Sequence, residues 1–386
     1  MMDPRLQKLA DVLVNYSTRI KKGDLVAVRG DPVALPAVEA VFVAVLRAGG
    51  NPFYVPQSER AAELLMEHGT DEQIKFLNPL DMARVEAIDA EIAFWAESNT
   101  KSMTRYPSER LAMKQAARRP YMKRYLERAA TKGIRWVGTL FPTHSFAQDA
   151  EMNLGQYEDF VFRAGLLHLP DPAAAWKQIS ERQKRVCDFL QGKKQVHFRV
   201  PADTGPGGHD GTDLRVEVGR STWINCDGHE NFPDGEVFAG PQGVDGHVNY
   251  TFPAVYHGKE VEGVRLVFKG GRVVEASARK GEDYLIKMLD QDAGARVMGE
   301  IAIGTNYSIT DFSKNTLFDE KIGGTFHAAV GAGYPESGSS NESGLHWDMV
   351  CDLRPGKGGE GGTISADGEV FHRNGRFVHS DWPGPA

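Results

Sequence analysis

Seven side chains in the C-terminal half carry the chemistry this chain can offer. Glu236, Glu300, Glu320, His327, His346 and Asp348 are oxygen and nitrogen donors, and Tyr334 lies among them. Two histidines with four carboxylates form a set that hard and borderline divalent metals favour, with enough negative charge for two ions. If these groups converge, the expected chemistry is hydrolysis by a metal-activated water. His346 and Asp348 stand two apart in GLHWDMV, so on a strand they share one face; a histidine satisfied by a neighbouring carboxylate on a sheet surface is the alternative. Glu300 follows a glycine in VMGEIAI, where burying an ionised carboxylate beside isoleucines calls for a compensating cation. Outward alternation into solvent is the competing reading. Glu320 and His327 flank KIGGTF, whose Gly-Gly pair argues against a plain helix and leaves room for a turn folding both groups to one place. The alternative makes Asp319 and Glu320 an acidic helix N-cap. Glu236 follows the Asp234-Gly235 turn, where acids are commonly just solvated, and Tyr334 is either a transition-state hydrogen-bond donor or a core aromatic.

The elements that must position these groups fall into two patterns. An amphipathic helix opens the chain and stops at Gly23, followed by a buried strand at Leu25 to Gly30, a helix from about Leu35 to Ala48, and strands at Phe53 to Pro56, Ile92 to Trp95 and Ile134 to Leu140. Strands separated by helices imply parallel pairing, so the fold class is an α/β N-terminal domain with an open parallel sheet. A helix from roughly Ala173 to Leu190 leads to a change of pattern after Gly192-Lys193-Lys194. Beyond it, alternating strands are broken by Asp-Gly, Gly-Gly and Asn-Gly turns, the clearest being the hairpin of Val264 to Ala278, with one helix at about Glu282 to Leu289. This second part reads as a mostly antiparallel α+β catalytic domain. The expected domains are 1–192 and 193–386; a chain of 386 residues is long for one core.

Composition narrows the function. Hydrophobic content of 41% and charge of 25% are ordinary globular values, and a net charge of -7 argues against a dedicated nucleic-acid binder. The basic stretch between Met113 and Arg135 is accordingly read as a solvated helix face. No signal peptide and no bilayer-length apolar run is evident, so a soluble cytoplasmic protein without membrane partners is expected. Cys187, Cys226 and Cys351 are too dispersed for a disulfide framework or a thiolate zinc site. There is no GxGxxG after the first strand, and the glycine-dense segment 355–362 lacks phosphate-loop spacing and reads as a flexible connection.

Motif order adds a further layer. NFPDGEVF at Asn231 to Phe238, GRVVEASARKGEDYL at Gly271 to Leu285, GARVMGEIAIG at Gly294 to Gly304, NTLFDEKIGGTFHAAVGAGY at Asn315 to Tyr334, GLHWDM at Gly344 to Met349 and DGEVFHRNGRF at Asp367 to Phe377 together resemble the thermophilic metallo-aminopeptidase family, of the aminopeptidase T and PepS type. TLFPTHSFAQDAEM at Thr139 to Met152 extends the resemblance upstream. The resemblance implies a bimetallic site on Glu236, Glu300, Glu320, His327, His346 and Asp348, with Tyr334 as the active-site tyrosine, and a homodimer. It implies release of N-terminal residues from peptides with a free N-terminus, two divalent ions (zinc, cobalt, manganese or magnesium), and Glu300 or Glu320 as proton shuttle. Two departures stand out: the segment from Tyr334 to His346 is shorter than in the best-known members, and Glu320 lies two residues further from His327 than in some relatives. Two other functions fit parts of the pattern. A mononuclear iron ring-cleaving dioxygenase would need only His327, His346 and Asp348, leaving three acids without a use. A metal-stabilised binding protein would melt in a metal-dependent way without turnover.

Overall fold

The computed structural model describes residues 3–203, 208–256, 258–356 and 360–385; residues 357–359 of the glycine-dense connection lie outside the described residues. Two compact units are present, one comprising Met1–Ala173 with Gly228–Pro233 and the other Ala174–Asp227 with Asp234–Ala386. The helix Pro172–Leu190 therefore belongs almost wholly to the second unit, whereas the sequence pattern changes only at its C-terminal end.

The first unit is built on a five-stranded sheet in the order Asn51–Pro56, Leu25–Gly30, Ala90–Trp95, Arg135–Leu140 and Asn231–Phe232, with every pairing parallel. Helices intervene between the first four strands in sequence, as the alternation of apolar runs requires. The helix Leu35–Arg47 shows why: Val38, Val41 and Val45 fall on one buried face. Of the basic stretch, Arg124 pairs with Glu86, and Arg128 donates to the carbonyls of Val85 and Ile88, so these two cations are used in local anchoring. The fifth strand was not expected from the sequence. Asp227-Gly228 and Asp234-Gly235, which read as hairpin turns, instead bracket the short return of the chain to the first unit.

The second unit holds an eight-stranded antiparallel sheet and a five-stranded antiparallel sheet. The order of the latter is His346–Asp352, Thr325–Gly331, Met298–Gly304, Glu236–Ala239 and Ile224–Cys226. Tight turns at Gly270-Gly271, Asp367-Gly368 and Asn374-Gly375, both residues of each at positive φ, close hairpins of the larger sheet. The two sheets share one core: Phe198 and Leu214 of the larger sheet cluster with Ile301, Ile303, Phe326 and Trp347 of the smaller, and the rings of Phe198 and Phe326 lie 4.5 Å apart. The helix at Glu282–Leu289 buries Leu285 and Leu289 in the same cluster. The expected architecture, an open parallel α/β part followed by a mostly antiparallel part, is the one observed.

Candidate metal centre

Alternation along the five-stranded sheet produces the site. Ile301, Ile303, Phe326, Ala328, Trp347 and Met349 point into the core, so their neighbours must point the other way. Cross-strand register places those neighbours together: Glu300 pairs with Ala329, which pairs with Asp348; Ala302 pairs with His327; Gly304 pairs with Glu236; Gly331 pairs with His346. Directly paired residues share a face, so Glu236, Glu300, His327, His346 and Asp348 line one side of four adjacent strands. Ala302, Ala329, Gly304 and Gly331 lie among them on that face, which leaves room above the sheet.

Glu320 comes from the other direction. Asn315 caps the short helix Thr316–Asp319, and Glu320 closes its C-terminal end, so the acidic pair does not form an N-cap. Gly323 and Gly324 then turn the chain into the strand carrying His327. A Cβ on Gly323 would meet the Tyr307 ring at 2.6 Å, and Gly324 adopts φ +90°, so the pair is required for the turn. The turn folds Glu320 back onto His327: the ligand atoms of Glu320, His327 and Asp348 lie within 4.8 Å of one another, as do those of Glu236, Glu300 and His327. His346 joins through Nε2, 3.4 Å from Asp348 Oδ2 and 3.9 Å from Glu300 Oε2. All six donors converge. Tyr334 stands at the edge, 43% exposed, its ring 5.3 Å from that of His346.

Hydrogen bonding fixes the histidine tautomers. His327 Nδ1 lies 2.9 Å from the Glu320 carbonyl and His346 Nδ1 lies 2.7 Å from the Ala332 carbonyl. A carbonyl only accepts, so each Nδ1 carries the proton and donates it. Each Nε2 is left facing carboxylates, His327 Nε2 at 3.2 Å from Glu300 Oε1 and 3.5 Å from Glu236 Oε2. This is the orientation of a metal-ligating imidazole. Glu236 Oε2 and Asp348 Oδ1 are buried without a hydrogen-bond partner among the described residues. Buried orphan carboxylate oxygens beside two aimed imidazole nitrogens fit divalent cations, and the side chains present match such a group in both donor type and charge.

The electrostatics of the side chains describe the same frustration. Burial alone would depress His327 and His346, but the surrounding carboxylates outweigh it and raise them to about 10 and about 11. Burial pushes Glu236 upward despite Lys321 nearby, whereas for Asp348 the opposing pull of His346 prevails over burial and lowers it. The Tyr334 phenol is held above its ordinary value by desolvation and then by the carboxylates, so it retains its proton. Between Phe312, Lys314, Glu320 and Asp348 a recess of about 20 Å³ adjoins the cluster, room for roughly one water.

Three participants were not identified from the sequence. Gln183, fully buried on the helix Pro172–Leu190, donates to the carbonyls of Cys226 and Glu236 and accepts from Thr305, so it pins the strand that presents Glu236. Cys226 lies with Asp234 and Glu236 in a third cluster of potential donors, its thiol held well above the ordinary value by burial. Lys321 is fully buried, with Nζ 3.6 Å from Glu236 Oε1 and hydrogen-bonded to Glu320. The only local signal for it is adjacency to Glu320.

Comparison with known proteins identifies the family and the fold. The profile of a family described as thermophilic metalloprotease (M29) matches residues 2–377. Aminopeptidase 2 of Geobacillus stearothermophilus is 28% identical over 396 residues, covering 90% of this chain and 92% of that protein. Aminopeptidase T of Thermus thermophilus is 27% identical over 371 residues, covering 88% and 87%. Among solved structures, wild-type AmpT from Thermus thermophilus matches in fold with a TM-score of 0.83 at 24% identity, covering 97% of this chain and 99% of that one. A 2,5-dihydroxypyridine dioxygenase from Pseudomonas putida KT2440 matches with a TM-score of 0.59 at 13% identity, covering 97% and 98%, a likeness of fold alone.

Proposed function

The chain belongs to the thermophilic metalloprotease family M29, a family of hydrolases, and from that premise we propose that it is an aminopeptidase releasing N-terminal residues from peptides with two divalent ions. The observation that carries the two-ion reading is the pair of imidazoles whose Nδ1–H groups are committed to backbone carbonyls while His327 Nε2 faces Glu236, Glu300 and Asp348 and His346 Nε2 faces Glu300 and Asp348. Glu236, Glu300, Glu320, His327, His346 and Asp348 would hold the ions. When bound, zinc, cobalt, manganese or magnesium would supply a water acidified toward neutrality and polarise the scissile carbonyl.

The remaining steps belong to this chain's own groups. The protonated Tyr334 hydroxyl, at the rim of the cluster, donates to the oxyanion as the carbonyl becomes tetrahedral. A carboxylate not fully engaged as a ligand holds the proton and returns it to the leaving amine; Glu320 and Glu300 are the candidates. Acidic oxygens in the cluster would also hold a substrate ammonium group, which restricts cleavage to chain ends. A homodimer in the cytoplasm, without nucleic-acid or membrane partners, completes the reading; no helix among the described residues is long and apolar enough to cross a membrane. A single-iron dioxygenase on this fold would have no use for Glu236 and Glu300, both buried against His327.

The test is metal content of the purified protein together with hydrolysis of aminoacyl arylamides before and after chelation. Two ions per chain and chelator-sensitive turnover restored by cobalt or zinc are expected. One iron per chain with oxygen uptake would overturn the proposal, as would metal-dependent melting without any turnover.

A further inference from the structure

Lys321 is out of place in a cation-binding cluster. Its ammonium is fully buried and surrounded by acids: Glu320, to which it is hydrogen-bonded, Glu236 at 3.6 Å, and Asp234, whose charge also acts on it. Two of those acids belong to the set that would hold the ions. A buried ammonium is tolerated only where such partners offset its desolvation. The backbone fixes the residue there, since Lys321 N–H donates to the Phe318 carbonyl and its own carbonyl accepts from Asn306 N–H. The base of the side chain is therefore anchored by the backbone, and its charged end is held by Glu320 and Glu236.

The donor set divides accordingly. Among the described residues, Lys321 is ion-paired to Glu236 and Glu320 and not to Glu300 or Asp348. An ion entering beside Glu300, His346 and Asp348 meets donors that are not engaged by that ammonium, although His327 beside them also faces Glu236 at 3.5 Å. An ion drawing on Glu320 must compete with an ammonium already paired to it. Removing that ammonium would leave the same acids with one positive charge fewer nearby and raise their affinity for a cation.

We propose that Lys321 is a built-in cation of the site, which neutralises Glu236 and Glu320 and must release Glu320 before the second divalent ion binds, so that the two ions load in separated steps. This deepens the two-ion reading and rests on it. In the loaded protein Lys321 is a positioning residue, since it acts through Glu236 and Glu320.

The experiment is a calorimetric titration of the chelator-stripped, full-length protein with Zn2+, paired with thermal melting of the stripped and loaded forms, for wild type and Lys321→Met. Wild type is expected to take up two ions with affinities at least 10-fold apart. In the variant the second step tightens at least 10-fold while the first stays within about threefold. The stripped variant melts below stripped wild type, and the gap narrows on loading because the ions replace the missing charge. Two ions in both proteins with unchanged spacing would overturn the role of Lys321 and leave the two-ion reading intact. One ion per chain in both would remove the reading itself and the proposal with it. Should Lys321→Met fail to fold, the wild-type isotherm still decides: two indistinguishable steps would overturn the proposal. Lys321→Gln, which keeps a polar end without the charge, is the second variant, with the same tightening expected.

Discussion

Five of the donors ride on adjacent strands, whereas Glu320 and Tyr334 stand on connecting segments, and the two groups are fixed by different forces. Glu236, Glu300, His327, His346 and Asp348 are placed by ladder register, so none can shift without moving a strand whose other face is core. Glu320 is held at the end of a single helical turn, with its carbonyl accepting from His327 and its carboxylate paired to Lys321. Tyr334 is held by its carbonyl, which accepts from Ser337 N–H and Oγ–H, and by ring contacts with Phe238 and His346. A sheet thus sets the geometry of the ion-binding floor, and the loops supply groups that can adjust during a reaction.

Substitutions can break this division. The largest effect is expected from Glu300→Gln, which should lower arylamide turnover by more than about 1,000-fold because the several kcal/mol of charge stabilisation from a bound ion is lost. Bound metal should fall with it. Glu320→Gln, on the loop side, should cost roughly 10-fold, since the amide oxygen is still a metal donor and the five strand-borne donors remain. Equal losses in the two variants would show that strand and loop donors are held alike. Between these lies Tyr334→Phe, which should lower kcat about 100-fold with little change in KM or metal content, as expected for a donor engaged only as the oxyanion forms. A rise in KM with kcat preserved would instead place Tyr334 in substrate binding.

The same division governs how much the sequence revealed. His346 and Asp348 were legible as neighbours because strand periodicity is two, and the alternation of Trp347, Met349 and Cys351 with them marks which face is core. Glu300 was legible in the same way, from Ile301 and Ile303, which follow it. The convergence of His327 with Glu320 was harder, because the turn depends on the fit of Gly323 against Tyr307, which lies outside the motif. Lys321 beside Glu320 reads locally as a solvated pair, and only the ladder contact between Asn306 and Ile322 draws it inside. Gln183 is one polar residue among many on an amphipathic helix, and its role arises from strands 42 and more residues away. The strand Asn231–Phe232 is two residues long, too short for any periodicity, and joins the parallel sheet through a pairing set far along the chain.

A third histidine sharpens the comparison from the opposite side. His372, on the strand Glu369–Arg373, is fully buried like His327, yet neither ring nitrogen has a hydrogen-bond partner among the described residues. Its ring meets the edge of Phe377, with centroids 4.9 Å apart. Carboxylates raise His327, whereas burial with nothing to offset it pulls His372 down from 6.5 to about 3. Since the folded state holds this ring neutral, stability at His372 is full above the unfolded value of 6.5 and is lost as pH falls from 6.5 toward 3, at about 1.4 kcal/mol per pH unit. Unpaired ring nitrogens carry a further penalty of about 1–3 kcal/mol at neutral pH. His372→Leu, close in volume and free of polar atoms, should therefore raise unfolding stability by roughly 1–2 kcal/mol at pH 7. It should also flatten the decline between pH 6.5 and 4 in urea denaturation. A variant that is less stable at pH 7, or that keeps the wild-type pH slope, would mean that the ring nitrogens are paired in solution, for instance by an enclosed water.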